Sequence, residues 1–279
     1  MNIKILMCCH KSFSTVPPLC IPIQGGRAVN PPMNGISGDD SGDNISGKNH
    51  EYCELTVLYY AWKNETADYF GFCHYRRFFC FDERVKYPYL ALGKLTAKQR
   101  SNYLGTSERI ESLCSEFDVI VLRSEDMGMT VREHYCSSAF HHAEDLELFL
   151  KIIGDKAPQL IDSANEYMSQ NSQYFCNMFI MQREYFNEYC ELLFPLLEEF
   201  DCRKTMHGSF QDDRTDGYLG ERFVGIYITY IRNRGDKVKE LPRLDIDCTL
   251  KKRLLYRLLP PQSKRRLWLK KIVKGIQKK

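Results

Sequence analysis

The chain has no apolar run approaching the about 18 residues that a membrane-spanning helix needs, so no transmembrane segment is expected. The opening MNIKILMCCHKS is too short an apolar stretch for a secretory signal and reads as a first β-strand. Neither a Cys-x-x-Cys pair nor a His-Glu-x-x-His motif occurs, and His141 and His142 are adjacent, which argues against a structural zinc. The P-loop motif Gly-x-x-x-x-Gly-Lys-Ser/Thr is absent. Asp39, Ser41 and Asp43 imitate a calcium loop, but the closing glutamate is missing. Most informative is the absence of any Asp or Glu from Thr249 onward, where twelve Lys or Arg stand. The rest of the chain keeps 27 of the 39 basic residues against all 36 acidic ones, a balance of −9. An acidic body with a basic tail speaks against a nucleic-acid-binding body and for a local contact made by the tail.

What is present describes a folded protein. Hydrophobic residues make up 43% of the 279 and charged residues 27%, which rules out wholesale disorder. Seventeen Tyr and sixteen Phe point to aromatic packing or ring-stacking surfaces. The twelve Cys are scattered and several sit in apolar runs, such as Cys73 and Cys176. They read as reduced core thiols of a cytosolic protein.

Short apolar strands alternate with helical patterns. Strands are predicted at Ile3 to Cys9, Asp68 to His74, 117 to 122, Tyr174 to Gln182 and Lys237 to Leu241, with 17 to 24 extended by its prolines. Helices are predicted at Glu51 to Asn64, Ser107 to Glu116, Thr130 to Ile153, Arg183 to Phe200 and Gly217 to Arg232. Residues 25 to 49 form a long Gly, Asn, Asp and Ser loop, and 82 to 105 a surface excursion. The pattern is that of an α/β sheet with a mainly parallel core. Ligands collect at the carboxyl ends of such strands. The candidates there are His10, Lys11, Gln24, His74 to Arg77, Arg123 to Asp126 and Arg183.

Three constellations carry chemistry. His74-Tyr75-Arg76-Arg77 sets two guanidiniums at a strand end, and these bind phosphate oxygens bidentately and keep their charge at any working pH. The segment Gly42 to Asn49, with Asp43, Asn44, Lys48 and Asn49, leads small residues and a cation into a helix N-terminus. Tyr218-Leu219-Gly220-Glu221-Arg222 places a carboxylate and a guanidinium at the start of a helix. Asn177 stands inside an apolar strand, where a buried amide needs partners or faces a pocket.

The blocks NIKILMCCHKS, PIQGG, SGDNISGKNHEYCELTVLYYAWKN, DYFGFCHYRRFF, FDVIVL, CNMFIMQREYF and GYLGERFVGIYI, spread over about residues 2 to 232, resemble a bacterial glycosyltransferase family of capsule and exopolysaccharide gene clusters, long catalogued as a domain of unknown function. The resemblance implies a GT-A type single domain over 1–248. It implies transfer of a sugar, galactofuranose in some members, from a UDP donor to a glycan or lipid-linked glycan acceptor. The comparable GT-A strand ends in an Asp-x-Asp metal motif, whereas here His74 to Arg77 follow. Arginine is therefore expected to replace a metal, with no cofactor required and Mg²⁺ or Mn²⁺ on Asp212 and Asp213 the alternative.

The resemblance further implies Glu221 as the catalytic base, with Asp118, Asp145 and Asp213 in reserve, and Asn177 and Arg222 are expected to face the acceptor. Donor binding falls to His10, Lys11, Gln24, Asp43, Asn44, Lys48, Asn49, His74, Tyr75, Arg76 and Arg77. The alternative is a catalytically silent nucleotide-sugar or glycan-binding module. Residues 249–279 read as two basic amphipathic helices separated by Pro260 and Pro261, the second carrying Trp268, Leu269, Ile272, Val273 and Ile276. They are expected to hold the protein on the inner, anionic face of the cell membrane, with the other possibility that the first segment docks on the acidic body. No nucleic-acid partner is expected.

Overall fold

The computed structural model describes residues 1–205, 214–263 and 265–266. The expected ligands Asp212 and Asp213 and the second tail segment, including Trp268 to Ile276, lie outside the described residues. The first strands are β1 (Ile3–Cys9), β2 (Cys20–Gln24), β3 (Ser37–Gly38), β4 (Tyr69–His74), β5 (Arg77–Phe79), β6 (Tyr89–Ala91), β7 (Val119–Leu122) and β8 (Glu125–Asp126). They are followed by β9 (Ser172–Gln173), β10 (Phe179–Gln182), β11 (Val238–Leu241) and β12 (Arg243–Asp245). The helices are α1 (Asn49–Tyr52), α2 (Leu55–Asn64), α3 (Ala97–Tyr103), α4 (Ser107–Glu116), α5 (Val131–Cys136), α6 (Ala143–Lys156), α7 (Ile161–Ser169), α8 (Arg183–Arg203), α9 (Thr215–Arg234) and α10 (Leu250–Leu258).

The main sheet runs β11-β7-β10-β4-β1-β2-β3, with β5, β12 and β6 branching from β4. β1 is parallel to β2 and β4, and β11 is parallel to β7, while β10 runs antiparallel between β4 and β7. The mainly parallel α/β sheet expected from the sequence is therefore present. Its central strands read as unbroken apolar runs because both faces are covered: Val119–Leu122 and Phe179–Met181 are buried throughout. One face packs under α2 and α6–α9, the other under α4 and the β5–β6–β12 branch. Close packing of α9 on α7 needs a bare backbone at Gly225, where a Cβ would strike the Tyr167 ring.

Several boundaries depart from the sequence reading. The helix expected over Glu51 to Asn64 is broken at Cys53, whose φ of 52° no helix accommodates. The strand expected from Tyr174 starts only at Phe179, because Cys176 (φ 80°) and Asn177 (φ 43°) turn the chain. The helix expected over Thr130 to Ile153 is two, since Thr130 caps α5 and the chain leaves helix at Ser137 before α6 begins. The antiparallel course of β10 also corrects the placement of Arg183. It leaves the sheet at the opposite edge, where it pairs with Asp68 and donates to the Ala67 carbonyl.

Candidate active site

The carboxyl ends of β1, β2, β4 and β7 open on one edge of the sheet. The antiparallel β10 brings its amino end there, with Phe175, Cys176 and Asn177. The α1–α2 junction and the first turns of α9 reach the same edge: Asn177 Nδ2 donates to Glu54 Oε1 at 2.9 Å, and the Cys176 amide donates to Glu221 Oε1 at 2.6 Å. Three non-glycine residues with left-handed φ, Cys53, Cys176 and Asn177, thus converge on one spot. Each costs about 1–3 kcal/mol and persists only where its surroundings hold it.

One side of this spot is cationic. His10 lies edge-on to Tyr75 with ring centroids 4.7 Å apart, and its Nε2 is 3.3 Å from the Tyr75 hydroxyl. The Arg76 guanidinium lies 4.8 Å from the same ring, and both Arg76 and Arg77 are exposed. His74 Nε2 meets the Cys176 carbonyl at 2.7 Å, which ties the end of β4 to the strained turn. Burial, then the charges of Lys11, His74, Arg76 and Arg214, hold His10 below its ordinary range. Arg77 pairs in register with Asp245, which also accepts from Arg243 Nε at 2.8 Å. The structure therefore brings His10, Lys11, His74, Tyr75, Arg76 and Arg77 together, and adds Arg214 and Arg243, which sequence reading missed. Arg243 comes from a three-residue strand too short to show a pattern.

The other side is mixed. Glu221 Oε2 accepts from Arg222 NH2 at 2.9 Å, and Arg222 is 1% exposed with Nε and NH1 unpartnered among the described residues. Asn177 is 2% exposed, and its Oδ1 is equally unpartnered. Glu54 is half-buried and keeps Oε2 without a hydrogen bond among the described residues. Its sequence setting, an acid between Cys53 and an apolar helix, gave no signal of this position. Of the reserve acids, Asp118 stands at the opposite edge, bonded to the Lys237 amide at 2.8 Å. Asp145 is buried on α6, and Asp213 lies outside the described residues.

The 25–49 loop is held by a buried carboxylate. Asp39, fully buried, accepts from the Gly26 and Arg27 amides and from Ser46 and Thr56 hydroxyls at 2.5 Å each. Gln24 spends both ends of its amide on the same loop, donating to the Pro31 carbonyl and accepting from the Met33 amide. Asn49 donates to the Cys53 carbonyl and to Thr56, and packs where Gly26, at φ 66°, has no Cβ. Asn44 accepts from the Ser46 amide. Asp43 accepts from Tyr59 and meets Asn64, at the far end of a helix about 15 Å long, so the structure does not bring it to the cationic cluster.

Lys48 reaches a separate charge cluster. It pairs with Asp201 at 3.2 Å, and Tyr52 donates to the same carboxylate. Glu51, Asp201 and Asp216 bring carboxylate oxygens within 4.8 Å of one another, a grouping able to hold a cation. The Lys204 ammonium occupies that role, at 2.9 Å from Glu51, 2.8 Å from Asp201 and 2.9 Å from Asp216. Burial, then the neighbouring Asp201 charge, pushes Asp216 up to about 7, against the pull of Lys204.

The fold has a solved counterpart. The structure of apo WbbM, a bifunctional glycosyltransferase, matches with a TM-score of 0.83 and 29% identity, over 89% of this chain and 46% of that one. The chain thus spans less than half the length of its structural neighbour. No curated protein matches it by sequence. The strand ends, the 25–49 loop, the strained turn and nearly all of α9 fall within residues 4–233, which match the family described as "Domain of unknown function (DUF4422)", and the chain belongs to that family.

Proposed function

We propose that this protein is a glycosyltransferase of surface-polysaccharide synthesis that takes a sugar from a UDP-linked donor and adds it to a growing, lipid-linked glycan. The observation that carries the reading is the cationic cluster of His10, Lys11, Arg76, Arg77 and Arg214 at the carboxyl edge of a sheet that matches a glycosyltransferase. Galactofuranose is the donor sugar put first, on the family resemblance.

In this reading the acceptor oxygen attacks the anomeric carbon as the bond from that carbon to the diphosphate breaks, and UDP leaves with the electron pair. Arg76 and Arg77 offset the charge that grows on the leaving diphosphate. The acceptor proton passes to Glu221. Each carboxylate oxygen has two lone pairs, so its bonds to Cys176 and Arg222 orient Glu221 and still leave it able to accept. Attack from the face opposite the leaving group inverts the anomeric centre. Asn177 and Arg222 support the acceptor side. A second reading gives the base to Glu54, favoured by its open Oε2.

The test is UDP release from UDP-sugars with and without acceptor. A catalytically silent binding module releases none. Because no Asp-x-Asp follows β4, turnover is expected to survive EDTA, and loss with rescue by Mn²⁺ would overturn the arginine-for-metal reading.

A further inference from the structure

Helix α10 is built the wrong way round for a helix that docks by its apolar face. Leu250, Leu254, Leu255 and Leu258 are 63%, 47%, 51% and 67% exposed, and no residue of the helix is buried. What holds α10 to the body is its polar and aromatic side. Lys252 Nζ lies 2.8 Å from Asp245, Tyr256 packs 5.8 Å from Tyr89, and Arg253 covers Gly93. The docking of the first tail segment on the body, given above as the other possibility, therefore occurs, but it turns the leucines outward. Thr249 caps the helix at Lys252, which fixes where that face begins. Four neighbouring exposed leucines form a surface that a lone soluble domain seldom leaves open.

The surroundings state the partner's charge. Lys251 and Arg257 are exposed beside the leucines. Between α10 and the β6 loop lies a cavity of about 240 Å³, lined by Lys94, Arg253, Tyr256 and Arg257 among others. No acidic residue lies from Thr249 to the end of the chain. We infer that α10 is a seat on an anionic lipid surface: its leucines enter the acyl boundary, Lys251 and Arg257 meet the phosphates, and the basic cavity receives one headgroup. The seat is coupled to the cationic site, because Asp245 bonds Lys252 of α10 and Arg243 and pairs in register with Arg77. A membrane-held substrate would thus meet the site at the surface where the protein rests.

The experiment is co-sedimentation of the full chain with phosphatidylglycerol and with phosphatidylcholine vesicles at low salt. The parent is expected to bind the anionic vesicles only, and binding should weaken as salt rises. The quadruple variant Leu250→Ser, Leu254→Ser, Leu255→Ser and Leu258→Ser should bind at least about tenfold more weakly. The thermal unfolding midpoint of the same variant, measured without ligand, should stay near that of the parent and reports that it is folded. Should the quadruple variant prove unfolded, Lys251→Glu with Arg257→Glu makes the same test. Equal vesicle binding by parent and folded variant overturns the proposal, as does a parent that ignores phosphatidylglycerol. Binding that appears only after truncation beyond Arg266 would show the leucines covered by the chain's own tail. A parent dimer abolished by the variant, without vesicle binding, would show them covered by a second copy. Either result also overturns it.

Discussion

Two charge clusters sit at the same end of the sheet, and they differ in how their charges are spent. Around Lys204 the charges answer one another: three carboxylates surround one buried ammonium, and Lys48 and Tyr52 add to Asp201, while Oδ1 of Asp201 and of Asp216 keep no hydrogen bond among the described residues. Around Tyr75 the residues Arg76 and Arg77 are exposed, and burial, then the cations about it, hold His10 below its ordinary range. The first cluster is closed and joins α1, α8 and α9. The second holds positive charge in excess of its acids, and an excess at a strand end is a place for an anion. A residue's sign therefore says less about function than whether its partners are already within the protein.

The comparison is sharpened most by the carboxylates between the clusters. Glu221→Gln keeps the shape and removes the proton acceptor, and turnover should fall by about 10²–10⁴-fold with donor binding retained. Glu54→Gln should act mainly on KM. The reverse pattern in steady-state kinetics would move the base to Glu54.

Breaking the closed cluster should cost stability and not chemistry. Lys204→Met leaves Glu51, Asp201 and Asp216 facing one another without their cation. Loss of one partner of a buried ionic group costs about 3–5 kcal/mol. Urea unfolding would read this, and an undiminished midpoint would show that the cluster is not structural. Breaking the open cluster should do the opposite. Arg76→Ala or Arg77→Ala should lower kcat/KM by the equivalent of about 1.5–3 kcal/mol and leave the unfolding midpoint near that of the parent. Wild-type kinetics in both would sink the diphosphate assignment.

The open cluster was legible in the sequence because it is local: His74 to Arg77 are consecutive, and a buried strand immediately before them fixes their edge. The α/β alternation was legible for the same reason, since each strand declares itself within a few residues. The closed cluster was not, because Glu51, Asp201, Lys204 and Asp216 come from three helices and meet only through the tertiary fold. Arg183 shows a related failure. A strand's direction is set by its neighbours, so the residue after β10 could not be assigned an edge from its own segment. The turn at Cys176 and Asn177 was hidden differently: YFCNMFIMQ reads as one apolar run, and no glycine marks the left-handed residues. Glu54 was missed for that reason too, since its partner Asn177 turns toward it only because the run is broken there.

The smallest effect expected concerns the aromatic group around His141. The His141 ring lies tilted against Tyr135 and Tyr218, with centroids 4.4 Å and 4.2 Å apart, and the Arg222 guanidinium lies 5.8 Å from the Tyr135 ring. Burial, then the Arg222 and His134 charges, lower it to about 4. An unfolded chain protonates histidine near pH 6.5, so above that pH both states hold it neutral and its contribution is complete. As the pH falls from about 6.5 toward 4, the unfolded state takes up a proton that the folded state refuses, and stability declines. Below about 4 the folded state accepts it as well, and the decline from this residue ends. His141→Phe keeps a ring against Tyr135 and Tyr218 and removes the titration. Measured by urea unfolding at pH 7 and pH 4.5, the parent should lose more stability than the variant, while His10 and the carboxylates, common to both, cancel in the difference. Equal losses would mean that burial among these rings does not hold the proton off His141.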